Sequence, residues 1–184
     1  MLKELIGRRR AYRSLQHTDI AEEMVRDLAE CARLAPSCFN NQPWRFVFVY
    51  DPERLTELHR ALPEANAWAK SSSMIVAVFS RKDLDCNIKE REYFLFDTGM
   101  AAAFMILRAT EKGLVAHPIA GFDENLAREI LGIPDDMHLI TLVMVGVKSA
   151  EMSPVLNEKQ RASELERPPR LPLEKIAFHN RYTE

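Results

Sequence analysis

Ala35-Pro36-Ser37-Cys38-Phe39-Asn40-Asn41-Gln42-Pro43-Trp44-Arg45-Phe46 is the stretch around which the rest of the chain is organised. Pro36 lacks a backbone donor and ends the helix before it. Pro43 fixes a second bend ahead of the β-rich run Phe46-Val47-Phe48-Val49-Tyr50. Between the two prolines stand Ser37, Asn40, Asn41 and Gln42, all uncharged and polar. Amide side chains both donate and accept, so they can read a heterocycle edge that alternates N–H, C=O and bare N. An Asn-rich turn with no ligand is the plainer reading of the same residues.

Working outward, Leu2, Leu5 and Ile6 open the chain with a short amphipathic helix. Asp19 with Glu22 resembles a capping box ahead of Ile20, Met24, Leu28 and Cys31 at helical spacing. Asp51-Pro52 opens a helix through about Leu62, and Met74 to Phe79 reads as a buried strand. Tyr93 to Lys112, closed by Gly113, is a long helix that is apolar nearly all round, which calls for cover on several sides, in the centre of the fold or at a subunit interface. A shorter helix, Glu124 to Leu131, has Asp123 as cap and Gly132 past its end, and a strand follows from Leu139 to Val145. The class is α+β with a central sheet. From Val147 onward periodicity fades and four prolines occur, yet Leu156, Leu171, Leu173, Ile176 and Phe178 remain as apolar anchors. Such a tail is ordered if it lies along another subunit.

Composition narrows the function classes. The 184 residues are 47% hydrophobic with a net charge of −2, which suits one compact unit and gives no global field for nucleic acid or an anionic membrane. A single basic cluster, Arg8-Arg9-Arg10 with Arg13, could touch nucleic acid, but the remainder of the chain is acidic and no wide basic face follows. There is no apolar run of membrane-spanning length and no secretory leader at Met1-Leu2-Lys3-Glu4, so the expected compartment is the cytoplasm. Cys31, Cys38 and Cys86 form no CxxC pair and are odd in number, and they read as reduced cysteines with no metal-ligand spacing. Packing is the expected role of Cys38. The five histidines are scattered and read as structural.

Four separated pieces carry candidate chemistry. The first is arginine: Arg9, Arg10 and Arg13 are near enough in sequence to converge on one anion, while Arg170 is held between prolines. Read blandly, the N-terminal cluster is a solvated charge run. The second is the polar loop. The third is Asn66-Ala67-Trp68. The fourth is His117-Pro118-Ile119-Ala120-Gly121-Phe122-Asp123, where small residues allow backbone to approach a planar ligand. An isoalloxazine ring has the kind of edge the polar loop could read.

The ordered set of motifs resembles the FMN-dependent nitroreductase superfamily over nearly the whole chain. Arg9-Arg10-Ala11-Tyr12-Arg13 falls where that family carries Arg-Arg-Ser-x-Arg. Ala35 to Trp44 is similar to its Ala-Pro-Ser-x-x-Asn-x-Gln-Pro-Trp at every defined position. Asp97-Thr98-Gly99 through Gly113-Leu114, Pro118 to Phe122, and Arg170-Leu171-Pro172-Leu173-Glu174 resemble three later elements in the family's order.

The resemblance implies a three-layer α/β/α fold with a mainly antiparallel central sheet, in a domain-swapped homodimer. Residues 1–184 would form one FMN-binding domain whose tail, from about 147 to 184, extends over the partner. Arg9, Arg10 and Arg170 would hold the FMN phosphate, with Ala11 beside them, and Arg13 would lie near the N1/O2 edge. Ser37, Asn40 and Gln42 would face the flavin, Asn66 would bind the ring or ribityl chain, and Pro118, Ala120 and Gly121 would lie against the isoalloxazine. NADH or NADPH would be a transient donor and a flat nitroarene or quinone the acceptor, in a ping-pong cycle. No catalytic side chain and no metal are implied, because the flavin carries the chemistry. Ala11, Ala103-Phe104, Ala120 and Pro168 depart from residues common in the family. They leave open enone reduction, reductive dehalogenation, flavin remodelling, or a non-catalytic dimeric FMN-binding protein.

Overall fold

The computed structural model describes residues 1–183. In chain order the elements are α1 (Leu2–Arg8), β1 (Leu15–Gln16), α2 (Glu22–Arg33), β2 (Arg45–Val49), α3 (Pro52–Leu58), β3 (Met74–Ser80), β4 (Asn87–Ile88), β5 (Arg91–Glu92), α4 (Tyr93–Glu111), β6 (Val115–Ile119), α5 (Glu124–Leu131), β7 (His138–Lys148) and α6 (Glu158–Leu165). Short 3₁₀ turns join them, among them Cys38–Asn40 and Glu64–Ser71.

Five strands form one antiparallel sheet around β7, with β3 and then β2 on one side of it and β1 and β6 along the other. β3 is buried at every position, and the period of two assigns its side chains to two cores. Ile75, Ala77 and Phe79 enter one core with Leu55 and Leu58 of α3 and Ala127 of α5. Met74, Val76 and Val78 enter the other with Leu28 and Ala32 of α2 and Ala101, Met105 and Ala109 of α4. Helices therefore cover both faces. The alanines of α2 and α4 let the two helices approach closely, and Arg108 of α4 binds Asp27 of α2 at 2.8 Å beside that contact.

The terminators act as their chemistry dictates. Asp51 caps α3 by accepting from Glu53 and Arg54 N–H groups, Asp123 caps α5, and Gly132 follows α5 in the left-handed region at φ 65°. Asp19 does not cap α2. Ala21 is the residue there, because Asp19 lies too far back, 3.7 Å from His17, and Glu22 turns forward to Arg26.

Two expectations are redrawn. His117 and Pro118 belong to strand β6 rather than to an open turn; a proline fits there because β6 is an edge strand, where a missing donor breaks no inner ladder. The tail is partly helical: α6 opens with a capping box between Asn157 and Gln160. Its first part packs on its own chain, through Ser149 and Ser153 to Ser14 and Gln160 to Ala65. Beyond it Leu171, Leu173, Ile176 and Tyr182 are exposed. On α4, Leu95, Phe96 and Phe104 also face outward without cover, as do Leu2 and Ile6 of α1. Among the described residues, no helix is long and apolar enough to cross a membrane.

Candidate functional site

The arginines converge. Arg9, Arg10, Ala11, Arg13, Ser163, Arg167, Pro168 and Arg170 line one cavity of about 160 Å³, several times the roughly 30 Å³ share of a water molecule. Arg10 reaches Ser163 O at 2.8 Å and lies over the Tyr12 ring. Arg167 donates to Gly7 O and Arg9 O at 2.6 and 2.7 Å, tying the tail to the end of α1. Among the described residues, no carboxylate forms an ion pair with Arg9, Arg10, Arg167 or Arg170. Burial first, and then Arg167, Arg170 and Arg10, push the Arg9 guanidinium below its ordinary pKa. Like charges gathered without a counter-ion have the chemistry to hold an oxyanion.

Glu164 of α6 holds the backbone of this loop in place. Its buried carboxylate accepts the N–H groups of Arg13 at 2.6 Å and Ser14 at 3.1 Å. The Arg13 guanidinium lies over Trp68 at 5.8 Å. Trp68 Nε1 donates to Asn66 Oδ1 at 3.2 Å, and Asn66 Nδ2 donates to Gly121 O at 2.7 Å. The Asn66 amide is thus engaged on both sides, fixing the 120–123 turn to the 3₁₀ segment. A Cβ on Gly121 would stand 3.1 Å from Asn66 Nδ2, so glycine permits this approach. Ala120 and Gly121 are exposed at the end of β6, and Pro118 is exposed within it.

His117 underlies this corner as a structural residue. Its Nδ1 donates to Tyr12 O at 3.1 Å and its ring stacks on Trp68 at 4.7 Å. Burial lowers its pKa to about 4. Between that value and the ordinary 6.5 the unfolded chain carries a proton that the folded chain refuses, so stability is complete above 6.5 and falls as pH drops through the window. Urea unfolding at pH 7 and pH 4.5 should show a loss of roughly 2 to 3 kcal/mol from this group. The loss should be absent in His117→Asn, and equal pH slopes in both proteins would contradict the assignment.

The polar loop forms a second cluster. Ser37 Oγ accepts the Gln42 N–H at 2.9 Å, and Gln42 Nε2 donates to Asn40 O at 3.1 Å, so both side chains brace the loop. Phe39, Asn40 and Gln42 have φ of 48°, 59° and 52°, left-handed values that Asn tolerates and Phe rarely adopts. Phe39 is 88% exposed. Asp97 of α4, 1% exposed, accepts the Cys38 N–H at 2.7 Å. Burial, with Asp85 nearby, raises its carboxyl pKa. Cys38 is bonded to Cys86, 48 residues away, with Cα atoms 6.1 Å apart, and Cys31 is free. This corrects the reading of three reduced cysteines: the pairing depends on folding, which brings the loop to the turn before β4, and spacing alone does not reveal it.

Among the described residues, no hydrogen bond or ion pair joins the arginine cluster to the polar loop. The two clusters share no residue. Ser163, Glu164 and Arg167 were missed in the sequence because α6 was; the Asn157-x-x-Gln160 capping pattern was the available signal. A larger cavity of about 860 Å³ lies between β2, α3 and α5, lined by Val47, Phe48, Tyr50, Ile130 and Leu131 among others. It gathers no comparable charge, so the arginine cavity is the stronger candidate.

A model of the Nitroreductase family matches residues 6–70 and 57–147. A Thermus thermophilus protein named NADH dehydrogenase is 25% identical over 181 residues, covering 80% of this chain and 86% of its own. A solved structure described as an oxidoreductase containing FMN is 29% identical with a TM-score of 0.85, over 97% of this chain and 91% of its own. A nitroreductase family protein from Clostridium novyi NT is 25% identical with a TM-score of 0.75, over 82% of this chain and 86% of its own.

Proposed function

Because the chain belongs to the nitroreductase family, we propose that it is an FMN-dependent NAD(P)H oxidoreductase acting as a homodimer on nitroarenes, quinones or similar flat acceptors. The observation that carries the reading is the cavity in which Arg9, Arg10, Arg167 and Arg170 meet without a carboxylate. These residues fit the phosphate of FMN, with guanidinium forks for its oxygens and four positive charges to balance it. When bound, FMN would supply the redox chemistry linking a nicotinamide donor to the acceptor.

The protein's own residues bind and orient. Glu164 and Arg167 fix the arginine loop from α6 and the segment after it, and Arg13 is held half-buried over Trp68. Arg13 there places a positive charge next to the Asn66 and Gly121 corner, where added negative charge on a bound ring would be stabilised. Asn66 sets the turn at Ala120 and Gly121, leaving that backbone exposed to a planar ligand. Ser37, Asn40, Gln42 and the Asp97-anchored loop form the other wall, contributed by the second copy. That division is supported by the absence of any hydrogen bond or ion pair between the two clusters among the described residues. It is also supported by the uncovered apolar faces of α1, α4 and residues 171–182.

Riboflavin, which lacks the phosphate, tests the cavity directly. FMN should bind tighter by about 3 kcal/mol, roughly 150-fold, and lose affinity as salt is raised. Light scattering should give twice the chain mass with one FMN per chain. Equal affinity for the two flavins would remove the phosphate assignment.

A further inference from the structure

The disulfide corner contains more than a disulfide. The sulfurs of Cys38 and Cys86 and a carboxylate oxygen of Asp85 all lie within 4.8 Å of one another. The two oxygens of Asp85 differ. Oδ1 accepts the Cys86 N–H at 2.8 Å and the Asn41 amide at 3.2 Å, whereas Oδ2 is buried with no hydrogen-bond partner. A buried carboxylate oxygen without a donor is unfavourable, and with the Asp97 carboxylate beside Asp85 the corner gathers negative charge that a cation would balance. Each cysteine is also held by a carboxylate independently of the S–S bond: Asp97 accepts the Cys38 N–H and Asp85 accepts that of Cys86. The two sulfurs remain neighbours when the bond is broken.

We propose that, when the Cys38–Cys86 disulfide is reduced, Cys38, Cys86 and Asp85 bind a divalent cation of the zinc class, so that this corner alternates between a disulfide and a metal site. A dithiol supplies the reduction. The S–S bond breaks, each sulfur gains an electron and a proton, and the dithiol becomes its own disulfide. The cation then displaces the two thiol protons. Two thiolates and one carboxylate match zinc in ligand type, with water completing a tetrahedron. Ligands about zinc stand roughly 3.3 to 3.8 Å apart, so the site forms by parting the sulfurs and drawing Asp85 inward. Asp97 and Asn41 act as the outer partners that orient the ligands. The site would hold the Cys38–Asn40 turn, and with it the left-handed loop residues, in reducing surroundings where a disulfide does not persist.

The test uses the full-length protein as purified, reduced with a phosphine, desalted without oxygen and titrated with zinc chloride. Bound metal is counted by elemental analysis, and iodoacetamide labelling of each cysteine is followed by mass spectrometry. One zinc per chain is expected, with labelling of Cys38 and Cys86 slowed more than about tenfold and that of Cys31 unchanged. Unreduced protein should bind none. Asp85→Asn, its folding checked by thermal melting, should bind zinc at least about tenfold more weakly. Absence of zinc protection at both cysteines would overturn the proposal and leave a structural disulfide beside two neighbouring carboxylates. Equal zinc binding by reduced and unreduced protein, or by Asp85→Asn, would overturn it by placing the metal elsewhere.

Discussion

Alanine in place of Arg9 is expected to raise the dissociation constant for FMN by roughly 30- to 150-fold, while leaving riboflavin binding within about twofold of the parent. The figure follows from one charge-assisted contact to phosphate, about 2 to 3 kcal/mol. The Arg9 guanidinium lines the cavity and makes no hydrogen bond within the described residues, and burial first, then Arg167, Arg170 and Arg10, lower its pKa. Removing it therefore orphans nothing in the ligand-free protein and relieves repulsion there. The melting temperature without FMN should hold or rise, and the loss should appear only with FMN present. Fluorescence titration of the two flavins checks this. Parallel losses for both would show that Arg9 serves the ring or the fold instead of the phosphate.

Glu164→Ala should have the largest effect on the protein itself. The carboxylate is buried and accepts two backbone N–H groups, so truncation leaves both donors unsatisfied and Arg13 without its nearest counter-charge. About 3 kcal/mol of stability should be lost. In a chain of this size that corresponds to roughly 6 to 12 °C in melting temperature. Glu164→Gln keeps an acceptor without the charge and should recover part of the loss. A change below about one degree in the alanine variant would show that the arginine loop is held by other contacts.

Both residues illustrate what a sequence discloses. The convergence of Arg9 with Arg10 and Arg13 on one cavity was legible because neighbouring guanidiniums in sequence are a local signal. Glu164 was not: Glu158-Lys159-Gln160-Arg161-Ala162-Ser163-Glu164-Leu165 has no apolar stripe, and a helix recognised by periodicity passes unnoticed when its buried face is a carboxylate. Strand β3, α4 and α5 were readable for the opposite reason, since an uninterrupted apolar run, a long apolar helix and an Asp-to-Gly bracket are local signals. Strand β6 was hidden by Pro118, which an edge position tolerates. The contacts of Asn66 with Trp68 and Gly121 are set by tertiary structure and could not be read from the sequence. Pairing of Cys38 with Cys86 is likewise a property of the folded chain.

Whether this chain turns over electrons through FMN is decided by one visible spectrum. The protein is saturated with FMN and its visible absorbance recorded without oxygen before and after NADPH or NADH, and again after a nitroarene or quinone. Bleaching of the bound flavin by at least one nicotinamide is expected, with recovery of the spectrum on adding the acceptor. A flavin that stays bound and oxidised in the presence of both nicotinamides would contradict it, leaving a protein that binds FMN without using it.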